Sequence, residues 1–390
     1  MFISFGHVSK KMLIPLFIPL IYLIRHYILE NVNNKSAFMN TTIASLSYSF
    51  NILPFIIESH LIKSKKKEKQ ETTFDNLLLI EKKKIEIKKR VKQLIFLLLI
   101  SLYNYFNFQV YDIAQIFQPK DYKHYYFYSI SITVFFLSVA LMSFLLLNNK
   151  IYKHQKISML ISLILSILMF TVFIKESGFH FDIIIYLIIC LILRNLRFIL
   201  MVFGKLYMEK LYVTQFKLLS FFGIVGLFFS IFANFIDFSK ITENDSMKNI
   251  FYYWNVTNKK LFFFSIIFWF FENNLIWFCI SFFSPNHYLI FRNISSILVI
   301  LYDLASEKGI FDYKTIISFF ALIGIFICGL IFNEIIIIRI FKLEKDTAEE
   351  LYKRQKEEYE KNNIDNCTDD SKNVYSSEIS DTNIGIINDT

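Results

Sequence analysis

Five side chains stand where a lipid-soluble segment should carry none. Arg194 and Arg197 interrupt the apolar run Phe181–Phe203, and Glu272 sits near the middle of Leu261–Phe283. Arg292 lies about one turn inside Tyr288–Leu304, and Glu334 falls within Thr315–Arg339. A charge at the centre of a bilayer helix costs about 3 kcal/mol on insertion scales, so each needs a partner, a wet cavity or a ligand. Arg194 and Arg197, three residues apart, share a helical face. Such a pair can grip a carboxylate or phosphate through forked N–H donors. Glu272 could exchange protons there, or release the ligand by competing for an arginine. The structural alternative is internal pairing that fixes helix packing, for example Glu272 with Arg194 or Glu334 with Arg292. Arg197 could also simply reach the headgroups. Asn104 and Asn107, with Tyr103 and Gln109, make a polar patch at the third apolar run, as do Asn273 and Asn274 beside Glu272. Both patches suit a cavity wall. The remaining ionisable groups of the runs, Arg25, Lys217, Asp237, Asp303 and Arg339, lie near run ends, within reach of water.

The runs that must position these groups are bilayer-length. Of 390 residues, 55% are hydrophobic, and mean hydropathy is +0.44. Crossing a bilayer takes roughly 20 apolar residues, and backbone at that depth must be helical. Ten spans are expected: Met12–Leu29 (retained rather than a cleaved leader), Phe38–Ile57, Val91–Phe108, Tyr125–Leu147 and Ile157–Ile174, then Phe181–Phe203, Phe216–Phe238, Leu261–Phe283, Tyr288–Leu304 and Thr315–Arg339. The seventh carries Gly223, Gly226, Ser230 and Ala233 on one face, a small-residue stripe for close helix packing. The residues GKLYMEKLYVTQ make a short polar connector before it.

Eleven Lys or Arg lie between Lys63 and Arg90. That bias puts the 60–90 loop in the cytoplasm, where segment 63–90 is also a candidate for anionic lipid. Counting alternately, 148–156, 204–213, both termini and the tail fall on the cytoplasmic side. Loop 239–260, with sequons at Asn244 and Asn255, falls outside. The net charge of +9 is thus topological and predicts no nucleic-acid partner. The 46 Phe, with abundant Ile, Lys and Asn, look like an AT-rich eukaryotic genome and suit a lipid-facing role. No cysteine spacing suggests a metal or disulfide framework, and no cofactor is expected. The charged tail 341–390 begins with an exposed helix, KLEKDTAEELYKRQKEEYEK, and ends in residues too polar to fold alone.

Ten spans divide into two fives, 1–174 and 181–340. KIYKHQKISMLISLILSI from Lys150 parallels GIFDYKTIISFFALIGIF from Gly309, each following the fourth span of its half. The halves then run in opposite directions, an inverted repeat with the site between them. The connector KLYMEKLYVTQFKLLSFFGIVGLFFSIF, with its Glu209-Lys210-Leu211 step and Gly223–Gly226, resembles the drug/metabolite transporter superfamily. So do FFSPNHYLIFRNISSILVILYDL and LIGIFICGLIFNEIIII, and EamA-like and nucleotide-sugar-transporter-like members are the nearest in kind. The resemblance is best over 135–345. It implies an all-α, polytopic ten-helix carrier in the endomembrane system or plasma membrane. Such a carrier moves a small metabolite, anionic here (a nucleotide sugar, phosphate ester or similar), by alternating access. A non-transporting scaffold is the competing class, and pairing with a second copy stays open. A membrane transferase or protease would need a nucleophile, a His base or an aspartate cluster at depth; the histidines other than His26 lie at run ends or in loops, and no Gly-x-Ser-Gly, His-Glu-x-x-His or Asp pair occurs in the runs.

Overall fold

The structure is a computed structural model that describes residues 3–5, 14–31, 39–68, 76–116, 124–147, 151–177, 181–235, 258–306, 313–338, 347 and 350–357. Residues 239–257 of the expected loop and most of the tail lie outside the described residues, Lys259 and Lys260 already belong to a helix, and segment 350–357 is helical and largely exposed. Among the described residues, eleven helices of at least 11 residues follow one another: α1 (Phe17–Asn31), α2 (Met39–Ser49), α3 (Ile52–Glu68), α4 (Asn76–Ile116), α5 (His124–Leu147) and α6 (Lys153–Ser177), then α7 (Phe181–Leu211), α8 (Gln215–Phe235), α9 (Lys259–Phe282), α10 (Pro285–Ser306) and α11 (Tyr313–Phe332). Stretches within α4, α6, α7, α8 and α9 are long and apolar enough to cross a membrane. Their outer faces carry unbroken apolar surface, such as Leu160, Ile164 and Ile167 on α6 and Phe228, Ile231 and Phe232 on α8. Water does not tolerate patches of that extent, so the chain is a membrane-embedded helical protein.

Several boundaries differ from the sequence expectation, each for a local reason. The second run breaks into α2 and α3 at Phe50–Asn51, where Asn51 folds its amide onto the Tyr48 carbonyl at 3.1 Å. Pro54 then falls in the first turn of α3, where a missing N–H costs nothing. The basic segment 60–90 is mostly helix rather than loop. No Gly or Pro occurs between Pro54 and Pro119, and Glu86 pairs with Arg90 one turn on at 2.6 Å. The helix α4 therefore continues to Ile116, stopping just short of Pro119. The connector before α8 is likewise helical to Leu211, and only Tyr212–Thr214 turn.

Helix α11 stops at Phe332 rather than Arg339. Ile335 N–H returns to the Leu330 carbonyl (2.9 Å) and Glu334 N–H to Ile331 (3.1 Å), a Schellman closure with Glu334 at φ 58°. The β-branched run beyond it forms β2 (Ile336–Ile338), antiparallel to β1 (Ile3–Phe5) with Ile3 opposite Ile338. A two-stranded sheet thus qualifies the all-α expectation.

The tightest helix contact is α2 on α8. A Cβ added at Gly223 would overlap the Ser49 backbone, and one at Gly226 would overlap the Ser45 hydroxyl. Ser230 continues the contact, its hydroxyl donating to Ser45 Oγ at 3.4 Å, and Ala233 is half-buried at the end of the stripe. The Gly223 neighbour is backbone and cannot move aside, whereas the Ser45 side chain can rotate. Gly223→Ala should therefore lower stability by about 1–3 kcal/mol, the usual cost of overpacking. Gly226→Ala should cost less, and Phe228→Leu, on the 56% exposed outer face, should change little. Thermal melts monitored by size exclusion in detergent give the order directly.

Candidate functional site

Between α1, α4, α7, α9 and α10 lies a cavity of ≈ 190 Å³. Its walls carry four arginines, Arg25, Arg194, Arg197 and Arg292, and two carboxyl groups, Glu272 and Asp112. Helical periodicity explains the gathering. On α7, Leu193, Arg197 and Met201 fall one turn apart on one face, with Arg194 and Phe198 beside them. On α4 the same spacing presents Asn107, Phe108, Tyr111 and Asp112.

Each guanidinium is fixed in orientation. Arg25 forms an ion pair with Glu272, both side chains nearly inaccessible, and its guanidinium carbon lies 4.3 Å from the Trp269 ring centre. Arg292 Nη2 donates to the Tyr22 hydroxyl at 3.0 Å while its guanidinium carbon sits 4.0 Å over the same ring. Arg194 Nε donates to the Tyr111 hydroxyl at 2.8 Å, and Arg197 rests 4.0 Å over Phe108. Stacking on a ring face holds the plane of a guanidinium while leaving its N–H edge to other partners. Asp112, also buried, accepts a hydrogen bond from the Thr41 hydroxyl at 2.7 Å. Four guanidinium groups against two carboxyl groups leave two formal positive charges in excess. In a low-dielectric surround that arrangement attracts anions.

Of the residues singled out from sequence, Arg194, Arg197, Glu272, Arg292 and Asn107 line this cavity. Asn107 also donates to the Leu193 carbonyl (2.9 Å), tying α4 to α7. Asn104 and Asn273 face a separate space of ≈ 10 Å³ with Arg197 and Tyr48, and Tyr48 donates to Asn273 Oδ1 at 3.2 Å. Asn274 turns away, donating to the carbonyl of Phe270 on its own helix at 2.8 Å. The anticipated ion pairs are replaced. Glu272 is met by Arg25 rather than Arg194, and Glu334 lies 3.3 Å from His154 rather than beside Arg292. Arg25 is thus a site residue rather than a helix-end group, because α1 runs past it to Asn31.

Asp112, Tyr111, Tyr22 and Trp269 were not foreseen. Asp112 and Tyr111 follow the last uninterrupted apolar stretch of α4, and the periodicity from Asn104 through Asn107 to Tyr111 was the signal for them. No metal-ligating cluster of His, Cys, Asp and Glu occurs among the described residues.

The Arg25–Glu272 pair supplies a direct test. Arg25→Gln leaves Glu272 as a buried carboxylate without its cation, a loss of about 3–5 kcal/mol. The double variant Arg25→Gln/Glu272→Gln should recover most of that stability, and a melting series in detergent measures both. No family model matches this sequence, and no curated protein matches it.

Proposed function

We propose that this chain is a secondary carrier of a small organic anion, built as ten membrane spans in two inverted halves with both ends in the cytoplasm. The observation that carries the reading is the cavity: buried, arginine-rich, and lined from both halves of the chain, by α1 and α4 as well as by α7, α9 and α10. A scaffold gains nothing from four guanidinium groups held around an internal space. Alternating access between two repeats has use for such a site.

The packing scheme supports the repeat. Count α2 and α3 as one crossing, so that the spans are 1 (α1), 2 (α2–α3), 3 (α4), 4 (α5), 5 (α6), 6 (α7), 7 (α8), 8 (α9), 9 (α10) and 10 (α11). Adding five to each number carries contact 1–8 onto 6–3, 4–6 onto 9–1, 3–7 onto 8–2 and 4–5 onto 9–10. Contacts 2–7, 5–10 and 4–9 map onto themselves. Contacts 8–9, 4–10, 6–8 and 6–9 lack a counterpart of similar extent, so the scheme holds for the larger contacts rather than for all. Because five is odd, equivalent spans cross in opposite directions. The strand pair supports an even number of crossings, since Ile3–Phe5 and Ile336–Ile338 must share one side. The Lys/Arg cluster at Lys88–Arg90, in the first half of α4, supports a cytoplasmic assignment for that side, with the bilayer as the chain's first partner.

Cavity size narrows the substrate. The space is smaller than the roughly 300 Å³ at which pockets begin to take drug-sized ligands, so compact anions fit better than nucleotide sugars. The test is uptake of labelled organic anions into liposomes holding the purified protein. Arg194→Lys keeps the charge but loses the planar fork, so uptake should fall by about ten- to a hundredfold with folding intact, as expected for one charge-assisted bond of about 1.5–3 kcal/mol. Unchanged uptake would remove Arg194 from the site, and no uptake of any anion would remove the carrier reading. Protease access to tags checks topology: tags at the two ends should respond together, and one at residue 250 oppositely.

A further inference from the structure

The charges in the cavity are not spread evenly; they stand on two walls of matching composition. On one wall, from α1, α9 and α10, Arg25 and Arg292 accompany Glu272. On the other, from α4 and α7, Arg194 and Arg197 accompany Asp112. Each wall therefore holds two guanidinium groups against one carboxyl and keeps one formal positive charge. The walls also correspond in the packing scheme: α1 packs on α9 as α7 packs on α4. In each case an arginine on the first span of one half shares the wall with a carboxyl on the third span of the other.

We propose that the site binds a short organic dianion whose two negative groups lie at opposite ends, a dicarboxylate or a phosphorylated short-chain acid, one end on each wall. The proposal rests on the reading of the cavity as an anion site and narrows it. A one-headed anion compensates one wall and leaves the other charged in a low-dielectric space. A two-headed one compensates both and accepts forked N–H donors at each end. The volume of ≈ 190 Å³ lies below the roughly 300 Å³ of pockets for drug-sized ligands, which suits a chain of a few carbons. The aromatic supports agree with two heads rather than one: Tyr22 and Trp269 hold the arginines of the first wall, Tyr111 and Phe108 those of the second.

The test compares ligands on the full-length purified protein by thermal shift in detergent, at matched pH and ionic strength. Glutarate supplies two heads on a short body, valerate one head on the same body, and inorganic phosphate a compact anion with a single head. Glutarate should bind at least tenfold more tightly than valerate or phosphate, read from the concentration dependence of the melting temperature. Arg292→Gln and Arg197→Gln, one on each wall, should each reduce glutarate to the affinity of valerate while altering valerate far less. Phosphoglycolate, tested in parallel, distinguishes a phosphorylated acid from a dicarboxylate as the better second head. Stabilisation by valerate or phosphate equal to that by glutarate overturns the two-headed proposal and leaves the anion carrier standing. Stabilisation by no anion overturns both. The comparison on the unaltered protein decides the matter even where a variant fails to fold.

Discussion

The ion pair between Arg25 and Glu272 is the constraint around which the bundle is arranged. Two charges are removed from water inside a membrane-embedded bundle, and their attraction offsets that cost only if both are held in good geometry. Trp269 beneath the guanidinium and Tyr22 beside it supply the geometry. That requirement fixes α1 against α9, and α10 joins them through the bond from Arg292 to Tyr22. With these helices placed, α4 and α7 can close the opposite wall, where Arg194 and Arg197 rest on aromatic rings of α4. The cavity is what remains between two sets of helices that each had charges to house.

Polar seams elsewhere tie the bundle together near the helix ends. Lys205 donates to the Ser281 carbonyl at 2.6 Å, linking α7 to α9, and Lys217 reaches Gln93 at 3.3 Å, linking α8 to α4. Thr214 donates to Glu58 at 2.7 Å, and Gln155 to the Phe332 carbonyl at 3.1 Å. The Ser284 hydroxyl caps α10 through the backbone N–H of His287 at 3.3 Å, with Pro285 at the first helical position. Lysines near helix ends thus serve as interhelical ties.

Much of this was legible before any coordinates. Apolar length marked the helices, and charge cost marked Arg194, Arg197, Glu272 and Arg292 as residues in need of an environment. Small-residue spacing marked Gly223 and Gly226. What the sequence could not say was which charges meet. Glu272 had several arginines at comparable depth, and choosing Arg25 depends on α1 lying against α9, a tertiary fact with no local signature. Asp112 was hidden for a different reason: hydropathy had already fallen at Gln109, so the run seemed to end although the helix did not. Asn274 shows the converse error, since adjacency to Asn273 implied a shared role, yet neighbours on a helix point about 100° apart. The strand at Ile336–Ile338 was masked because an Ile run at the end of an apolar helix reads as more helix.

The contact between Gly223 and the backbone at Ser49 has a mechanical meaning. It joins α8 to the place where α2 gives way to α3, with no room for even a methyl group between the chains. Surfaces so close cannot slide, because a shift along the groove would drive backbone into backbone, and they cannot be compressed. They can still turn, as a hinge pin turns in a tight sleeve. A side chain added at Gly223 would therefore part α8 from α2 at this point, and the strain would fall on both backbones rather than on a side chain free to turn.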